Sequence, residues 1–265
     1  MKSLYIPFVT VPPSQSRQPL IEAGSAWYHW SDDFTQLDRL HCGPYYNTNS
    51  FRDVSNGRAM PVIRYRPTDH SLPDHWRNIC GVLGVAYDGK AKVLNEPERT
   101  GQDEIDPIRG KVLVAAIKQK LPKMTQVGPN VLAGEAGFKW FDEYLEEGGR
   151  LFNIIGFHLY PQSGMEPGEA VDEFRRIIKS HGYSKVIPEF WVTEMGVSYT
   201  LPDAGTIAKR WLRACIDNPF ITAVFWYTAW KGSPRRLDMI LPDLDGEPGV
   251  LSSTGKAWIE TWYNK

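Results

Sequence analysis

The sequence alternates short apolar runs with helical segments, and this alternation restricts the fold more than any other feature. Eight runs have the length, apolar content and turn-bounded ends that are typical of β-strands. They are SLYIPFV (3–9), SAWYHW (25–30), AMPVIRYR (59–66), AKVLNE (91–96), TQVGPN (125–130), FNIIGFHLY (152–160), FWVTEMG (190–196) and TAVFWYTAW (222–230). Helical patterns occupy 107–121, 137–149, 166–182, 204–219 and 253–263.

Local signals support the helical assignments. Asp106-Pro107 provides an N-cap followed by a proline at the first helical position, and Gly148 and Gly182 are predicted helix stops. Eight strands that alternate with helices predict an α/β fold, a single-domain (β/α)₈ TIM barrel over residues 1–265. Residues 31–58 and 67–90 show only weak helical patterns, so the strand count of the first half could change by one.

Composition excludes several function classes. The 30 basic and 31 acidic side chains give a formal net charge of -1, which predicts no nucleic-acid or membrane-surface partner. The three cysteines lack a CxxC spacing, and no His/Cys/Asp cluster has the spacing of a metal site. We therefore expect neither a metal nor another cofactor, and we expect a monomer.

The N-terminal stretch MKSLYIPFVTVPPSQ is interrupted by Pro7 and lacks a continuous apolar segment with a cleavage site. It is therefore predicted to be a first strand and not a signal peptide. The compartment stays open: the protein would be cytoplasmic, or secreted from a precursor whose signal is absent from this chain.

Two glutamates stand at the predicted ends of two strands. Asn95-Glu96 follows the fourth run and Thr193-Glu194 follows the seventh. The carboxyl ends of barrel strands carry the functional groups, and the fourth and seventh strands lie nearly across the barrel from each other. Two carboxyl groups that face each other across a cleft are the minimum equipment for glycoside hydrolysis. The pattern therefore predicts an active site in the mouth of the barrel.

These motifs resemble those of the clan A retaining glycoside hydrolases. The matching segments are NEP (95–97), TEMG (193–196), GFHLYP (156–161), VFWYTAW (224–230) and LPDLDGEPGVLSSTGKAW (241–258). Within the clan, AWYHW (26–30) and MPVIRYRP (60–67) make the sequence most similar to glycoside hydrolase family 128, the compact endo-β-1,3-glucanases. Two features depart from that family's pattern: HLY stands in place of its usual His-Trp-Tyr, and Arg64 and Arg66 are not its usual third-strand residues.

The resemblance implies a role for each motif residue. Glu96 would be the general acid/base, with a pKa raised by apolar walls and by the second carboxylate. Glu194 would be the nucleophile, and Asn95 would bind the substrate 2-hydroxyl. His158 and Tyr160 share one face of the sixth strand and could hold Glu194 in position. A turn residue at Asn95 and a core histidine at His158 are the alternatives.

Aromatic side chains near strand ends are candidate sugar platforms, although core packing is equally consistent with each of them. The candidates are Trp27, Trp30, Trp226 and Trp230, and Trp226 is favoured because its strand position matches the family. Arg64 would bind substrate hydroxyls or pair with a carboxylate, with a structural ion pair as the alternative. Glu98 is predicted to be a charge on the rim.

The leading hypothesis is a retaining endo-acting β-glycosidase that hydrolyses a β-glucan, most readily one with β-1,3 linkages. The same barrel and mechanism acting on another β-linked glycan or an oligosaccharide is the first alternative. A carbohydrate-binding protein without turnover is the second. In every case the expected partner is a polysaccharide or an oligosaccharide.

Overall fold

The structure is a computed structural model. It describes residues 22–27, 45–47, 59–65, 75–161, 164–186, 188–227, 240–242 and 248–263. The predicted strand at 3–9 lies outside these residues. None of the described helices is long and apolar enough to cross a membrane.

Nine strand segments form one parallel sheet among the described residues. They are β1 (Glu22–Trp27), β2 (Tyr45–Asn47), β3 (Ala59–Met60), β4 (Val62–Ile63), β5 (Lys90–Val93), β6 (Thr125–Leu132), β7 (Ile154–Leu159), β8 (Glu189–Met195) and β9 (Ile221–Tyr227). A separate antiparallel pair consists of β10 (Ile240–Pro242) and β11 (Pro248–Leu251).

The pairing order closes the sheet into a barrel. The order is β3-β2-β1-β9-β8-β7-β6-β5-β4, so β3 and β4 lie at its two ends. These two segments are halves of one strand that is interrupted at Pro61: β3 pairs with β2, and β4 pairs with β5. Because both ends of the sheet belong to the same strand, the sheet forms a ring of eight strands. The fold is the predicted (β/α)₈ barrel.

The first half of the barrel differs from the prediction in its strand numbering. The run predicted as the second strand is β1, which pairs with both β2 and β9. The second barrel strand is β2, within a stretch where only a weak helical pattern was found. The prediction counted the run at 3–9 before β1 and had no strand at β2, so the predicted and observed strand numbers agree from the third barrel strand onward. β5 is therefore the fourth barrel strand and β8 is the seventh, as predicted.

Six described helices accompany the strands. They are α1 (His75–Leu83), α2 (Pro107–Lys120), α3 (Glu135–Glu146), α4 (Pro167–Ser180), α5 (Ala204–Asp217) and α6 (Ser253–Tyr263). The start of α2 has the predicted chemistry: the Asp106 side chain accepts a hydrogen bond from the Arg109 N–H at 3.0 Å, next to Pro107 at the first helical position. Gly148 and Gly182 follow α3 and α4 with φ values of 80° and 85°, a left-handed backbone that glycine adopts without strain.

Two apolar clusters separate the inside of the barrel from its outside. The inner cluster consists of strand residues alone: Met60, Val62, Val127, Ile154, Trp191, Ala223 and Phe225, with Tyr227 packed against it. The outer cluster joins strand residues to the helices, as where Phe157 of β7 packs against Phe174 of α4 at 5.3 Å between ring centroids. Membership of the two clusters shows which way each strand residue points, and this decides which side chains can reach the mouth of the barrel.

Candidate active site

Glu96 and Glu194 meet in the barrel. Glu96 follows the end of β5 by three residues and Glu194 lies within β8, and their exposed fractions are 3% and 7%. One oxygen of each carboxylate lies within 4.8 Å of the other and of a ring nitrogen of His158. The two predicted catalytic carboxylates are therefore neighbours, with a histidine between them.

The chain reaches Glu96 through an irregular backbone. Leu94 and Glu96 have φ values of 66° and 45°, in the left-handed region that disfavours residues with side chains. The surrounding loop holds this conformation with backbone hydrogen bonds, from Asp103 N–H to Asn95 C=O at 3.2 Å and from Glu96 N–H to Asn130 C=O at 3.0 Å. Such conformations persist where neighbouring structure over-determines them.

Glu194 points inward because β8 contains a bulge. Phe157 pairs with Val192, whereas the next residue, His158, pairs with Glu194, so Thr193 is an extra residue. Val192 belongs to the outer cluster, and strict alternation would place Glu194 on the same outer face. The extra residue reverses the alternation and turns Glu194 toward the inside of the barrel.

Asn130 connects the two strand ends, and sequence reasoning missed it. It is a bulge residue of β6 with φ 61° and is fully buried. Its Nδ2 lies 2.9 and 3.1 Å from the carbonyl oxygens of Val93 and Leu94, just before Glu96. Its Oδ1 accepts a hydrogen bond from the Thr193 hydroxyl at 2.8 Å, just before Glu194. One amide therefore fixes the backbone before both glutamates.

The Asn130–Thr193 hydrogen bond passes over Gly156 of β7. A Cβ atom at Gly156 would lie 2.3 Å from the Asn130 Oδ1, closer than atoms can approach. Glycine is therefore required at this position for steric reasons and not for its φ value. The sequence signal that could have revealed it is the glycine inside the apolar run FNIIGFHLY.

Three donors surround the Glu194 carboxylate. The Tyr160 hydroxyl donates to Oε2 at 2.9 Å, the Lys92 ammonium donates to Oε1 at 3.1 Å, and the His158 Nδ1 lies 3.3 Å from Oε2. Burial alone would raise the pKa of Glu194, but His158, Lys92 and the hydrogen bonds outweigh it and lower that pKa to about 2. Glu194 is therefore held as a carboxylate, and both residues predicted to position it contact it.

Glu96 has different partners and lacks the predicted rise in pKa. The His158 Nδ1 lies 3.0 Å from its Oε1, and the Arg99 guanidinium donates to its Oε2 at 2.6 Å. Burial and the nearby Glu194 both raise the pKa, as expected. His158 and Arg99 oppose them, and the net result is a pKa below the ordinary value of glutamate. The predicted direction was wrong because the contacts of His158 and Arg99 with Glu96 were not foreseen.

Asn95 belongs to a network that also contains Arg64. Asn95 Oδ1 accepts from Lys92 at 2.8 Å, and its Nδ2 donates to Gln102 Oε1 at 3.1 Å. Arg64 donates to the same Gln102 oxygen at 2.9 Å and to the buried Asp103 at 2.8 Å. Arg64 therefore forms a structural ion pair with Asp103, which was the predicted alternative to a substrate contact. It acts on the site only through Gln102, Asn95 and its charge.

Glu98 is partly buried and does not have the environment of a rim charge. Its Oε1 accepts from the Leu132 N–H at 2.7 Å, and its Oε2 has no hydrogen-bond partner within the described part of the chain. Burial, the largest effect, raises the pKa of Glu98 to about 7, with a further contribution from Glu96.

The structure does not place Trp226 in the cleft. It is fully buried in the outer cluster and packs edge-on against Trp258 of α6, with 6.1 Å between ring centroids. Its neighbours Phe225 and Tyr227 belong to the inner side instead. The motif match identified the right strand but the wrong face. For Trp27 the structure describes only the backbone, and Trp30 and Trp230 lie outside the described residues.

Lys92 is the most consequential residue that sequence reasoning missed. It pairs in register with Val62 of the inner cluster, whereas Ala91 and Val93 on either side of it belong to the outer cluster. Its side chain therefore points into the barrel, where it is 0% exposed. The signal was present in the sequence as a lysine in an otherwise apolar strand that leads to Asn-Glu-Pro.

Glu96, His158 and Glu194 could each offer one ligand atom to a metal ion, since these atoms lie within 4.8 Å of one another. The Lys92 ammonium lies 3.1 Å from Glu194 and 3.0 Å from His158. A second positive charge at this cluster would be repelled, and two of its three ligands already have a cationic partner. The donor set thus suits a buried ammonium better than a metal.

The comparisons with known proteins agree with this geometry at the level of the fold. The sequence matches no protein-family model and no curated protein. Solved structures, however, are similar over most of the chain, and those that follow are all described as family 128 proteins. The chain has the fold of the family 128 glycoside hydrolases.

Three of these structures represent different activities. An endo-β-1,3-glucanase from Amycolatopsis mediterranei, in complex with laminaritriose, is 15% identical, with 91% of this chain and 99% of that chain covered and a TM-score of 0.60. An exo-β-1,3-glucanase from Aureobasidium namibiae is 17% identical, with 88% and 94% covered and a TM-score of 0.60. An oligosaccharide-binding protein from Cryptococcus neoformans is 18% identical, with 95% and 98% covered and a TM-score of 0.62. The same fold therefore occurs in proteins described as glucanases and in a protein described as oligosaccharide-binding.

Proposed function

We propose that this protein is a retaining β-glycosidase that cleaves β-1,3-glucan internally. The observation that carries the proposal is the pair of buried carboxylates, Glu96 and Glu194, in which an oxygen of one lies within 4.8 Å of an oxygen of the other. Retaining glycosidases place their two carboxyl groups about 5–5.5 Å apart, whereas inverting enzymes need about 6.5–9.5 Å to admit a water molecule. The short separation supports direct attack by one carboxylate on the sugar.

The different surroundings of the two carboxylates support their roles. Glu194 is kept ionised by Lys92, Tyr160 and His158, and a nucleophile must carry its charge before it attacks. In the first step Glu194 attacks the anomeric carbon, and Glu96 in its acid form gives its proton to the departing glycosidic oxygen. The products are a glycosyl ester on Glu194 and a carboxylate on Glu96.

The second step returns both groups to their starting states. The Glu96 carboxylate takes a proton from a water molecule, and the water oxygen attacks the anomeric carbon from the face that the leaving group vacated. The ester bond to Glu194 breaks, and the sugar is released with its original β configuration. Among the described residues, Gln102 accepts one N–H of the Asn95 amide, and the second N–H would bind the sugar 2-hydroxyl.

Product analysis tests both the chemistry and the substrate. The protein is incubated with β-1,3-glucan, mixed-linkage glucan, mannan and xylan, and the products are separated by size. We expect a ladder of β-1,3-linked oligosaccharides from the first polymer, with the new reducing ends released as β-anomers. Release of a single small sugar would indicate exo cleavage, and products from mannan or xylan alone would replace the glucan assignment.

A binding protein without turnover is the second candidate, and the state of Glu96 favours it. Its carboxylate is paired with Arg99 and His158 and has a lowered pKa, whereas a general acid must hold a proton. Calorimetric titration with β-1,3-linked oligosaccharides separates the two candidates. Binding together with unchanged oligosaccharide after prolonged incubation would identify a binding protein.

A further inference from the structure

A lysine is enclosed beneath the two glutamates. The Lys92 Nζ lies 2.8 Å from Asn95 Oδ1, 3.0 Å from His158 Nε2 and 3.1 Å from Glu194 Oε1. An ammonium group has three N–H donors, and these three atoms can accept one each. Because Lys92 is 0% exposed, it cannot itself reach a substrate. Any effect on catalysis must pass through the residues it touches.

The hydrogen bonds determine which nitrogen of His158 carries the proton. Asn95 presents its oxygen to Lys92, because its amide nitrogen donates to the Gln102 oxygen that also accepts from Arg64. Burial lowers the pKa of Lys92, and the Glu194 carboxylate opposes this effect. As an ammonium paired with Glu194, Lys92 donates to each of these three atoms, which gives the His158 Nε2 the role of acceptor. The other nitrogen, Nδ1, then carries hydrogen and donates to Glu96 at 3.0 Å, with Glu194 at 3.3 Å.

His158 lies among charges on several elements. The described groups that act on it or on its partners are Lys92 of β5, Glu96 and Arg99 after β5, Glu194 of β8, Tyr160 after β7 and Arg64 after β4. Two carboxylates face the Nδ1 side of the imidazole and can accept a hydrogen bond from it. The ammonium faces the Nε2 side, where a ring proton would point at another donor.

We propose that Lys92 is a positioning residue that keeps His158 singly protonated on Nδ1, so that Glu96 can regain its proton between catalytic cycles. This inference rests on the proposed function. A histidinium held between the two glutamates would bind Glu96 as a fixed anion and remove its value as an acid. A neutral His158 still orients Glu96 through one hydrogen bond and leaves Arg99 as the described cation paired with Glu96, so that the Glu96 carboxyl group exchanges its proton with substrate and water more readily than beside a histidinium.

The wild-type protein provides a test that does not depend on activity. Nitrogen-15 NMR of the histidine rings distinguishes protonated from unprotonated nitrogens, and the His158 signals are assigned by their loss in His158→Gln. We expect the hydrogen on Nδ1 and an unprotonated Nε2, on the basis of the acceptor role argued above. A doubly protonated ring, or a proton on Nε2 alone, would overturn the proposal even if the protein hydrolyses no glycan.

Lys92→Met provides the second test, with Lys118→Met as its matched control. Lys118 is a partly buried lysine remote from the site, whose Nζ donates to the Met124 carbonyl at 3.0 Å. In Lys92→Met we expect a second proton on the His158 ring and a fall of about 100-fold in kcat/KM on glucan, the scale of general acid catalysis. A dinitrophenyl glycoside, which leaves without protonation, should lose less than about 10-fold by the same argument.

The alkaline limb of the pH profile on glucan should also move to lower pH in Lys92→Met, because a histidinium beside Glu96 favours the carboxylate. Lys118→Met should match wild type in all these measurements. An equal loss on both substrates with an unchanged limb would show a merely structural role and contradict the proposal. If Lys92→Met fails to fold, the wild-type ring spectrum decides the question alone.

Discussion

The ends of β5 and β8 deliver the two glutamates by different physical means. At β5 the placement depends on the backbone: Leu94 and Glu96 are left-handed, and loop hydrogen bonds hold them. At β8 one extra strand residue turns Glu194 inward, and side-chain donors then hold its carboxylate. The four described non-glycine residues with positive φ are Leu94, Glu96, Glu104 and Asn130, all on the β5 and β6 side. Conformational strain is thus concentrated around the proposed acid/base, and charge around the proposed nucleophile.

The largest loss of activity should come from removing the Glu194 carboxylate in β8. Glu194→Gln preserves shape but abolishes the group that forms the glycosyl ester, so turnover should fall by about 10⁴-fold or more on every substrate. Initial rates on glucan and on a dinitrophenyl glycoside measure this. Glu189→Gln, an exposed carboxylate at the start of the same strand, is the control and should keep wild-type rates. A Glu194→Gln enzyme with normal rates would place the site elsewhere.

The second effect should depend on the leaving group, because Glu96 acts through its proton. Glu96→Gln should lose about 10²–10⁴-fold on glucan but much less in the first step on a dinitrophenyl glycoside. Azide attacks without a general base and should rescue the stalled intermediate, with a β-glycosyl azide of retained configuration as the product. Azide on a small-residue variant, Glu194→Gly, should give the inverted α-azide. The opposite stereochemistry in the two variants would exchange the two roles.

The sequence predicts where the two glutamates lie in the barrel, but not the backbone features that turn their side chains toward each other. Strand-end position alone located Glu96 and Glu194, because barrel topology brings the carboxyl ends of strands together. Strict alternation along β8 would have turned Glu194 outward, and only the register of β7 against β8 reveals the bulge. The same limitation explains Trp226, for which a motif match identified the strand and no local pattern identified the face.

Lys92 and Asn130 illustrate a second limitation. Their importance arises from partners that lie far apart in the chain, as in the hydrogen bond from Thr193 to Asn130 across 63 residues. A lysine or asparagine in an apolar strand is visible in the sequence, but its partners are determined by tertiary structure. The pKa of Glu96 depends on partners of both kinds, since His158 is 62 residues away in the chain and Arg99 is three residues away but contacts Glu96 through the folded loop.

The third prediction concerns Asn130, which both strand ends share. Asn130→Ala removes the donor to the Val93 and Leu94 carbonyls and the acceptor for Thr193, and leaves a left-handed alanine. We expect a loss of about 3 kcal/mol in the free energy of unfolding. Thr193→Val keeps the Asn130 bonds to the β5 end and removes the Thr193 hydroxyl, which lies 2.8 Å from Asn130 Oδ1 and 3.1 Å from the Phe157 carbonyl oxygen, and it should cost about 1 kcal/mol. Urea unfolding of both variants measures the difference, and equal losses would show that the β5 end gains nothing special from Asn130.

The fourth prediction uses pH. Folded Glu98 has a pKa of about 7 against an ordinary 4.5, so the folded state holds this proton more tightly than the unfolded state does. The resulting stabilisation is complete below about pH 4.5 and is lost as pH rises through about 7, with a total of roughly 3 kcal/mol. Glu98→Gln cannot titrate, so the wild type should lose that amount relative to the variant between pH 4.5 and 8. Urea unfolding across this range measures it, and parallel curves for the two proteins would contradict the buried environment of Glu98.

The smallest effect should come from strain away from the chemistry. Glu104 lies in the loop after β5, is exposed, has φ 43°, and accepts one long hydrogen bond of 3.3 Å from the Gly101 N–H. A left-handed residue with a side chain costs about 1–2 kcal/mol and a glycine costs about 0.5–1 kcal/mol in chain entropy, so Glu104→Gly should stabilise by about 0.5 kcal/mol.

Glu189→Gly is the matched variant at the β8 side, where an exposed glutamate accepts one hydrogen bond from Thr222 in a regular strand. With no left-handed backbone to relieve there, it should destabilise by about 0.5–1 kcal/mol. Opposite signs in urea unfolding would locate the strain in the β5 loop, because the two substitutions remove the same side chain and differ only in the backbone beneath it. The same sign in both would mean that the loop's left-handed residues are not strained, and that the contrast between the two strand ends lies in charge alone.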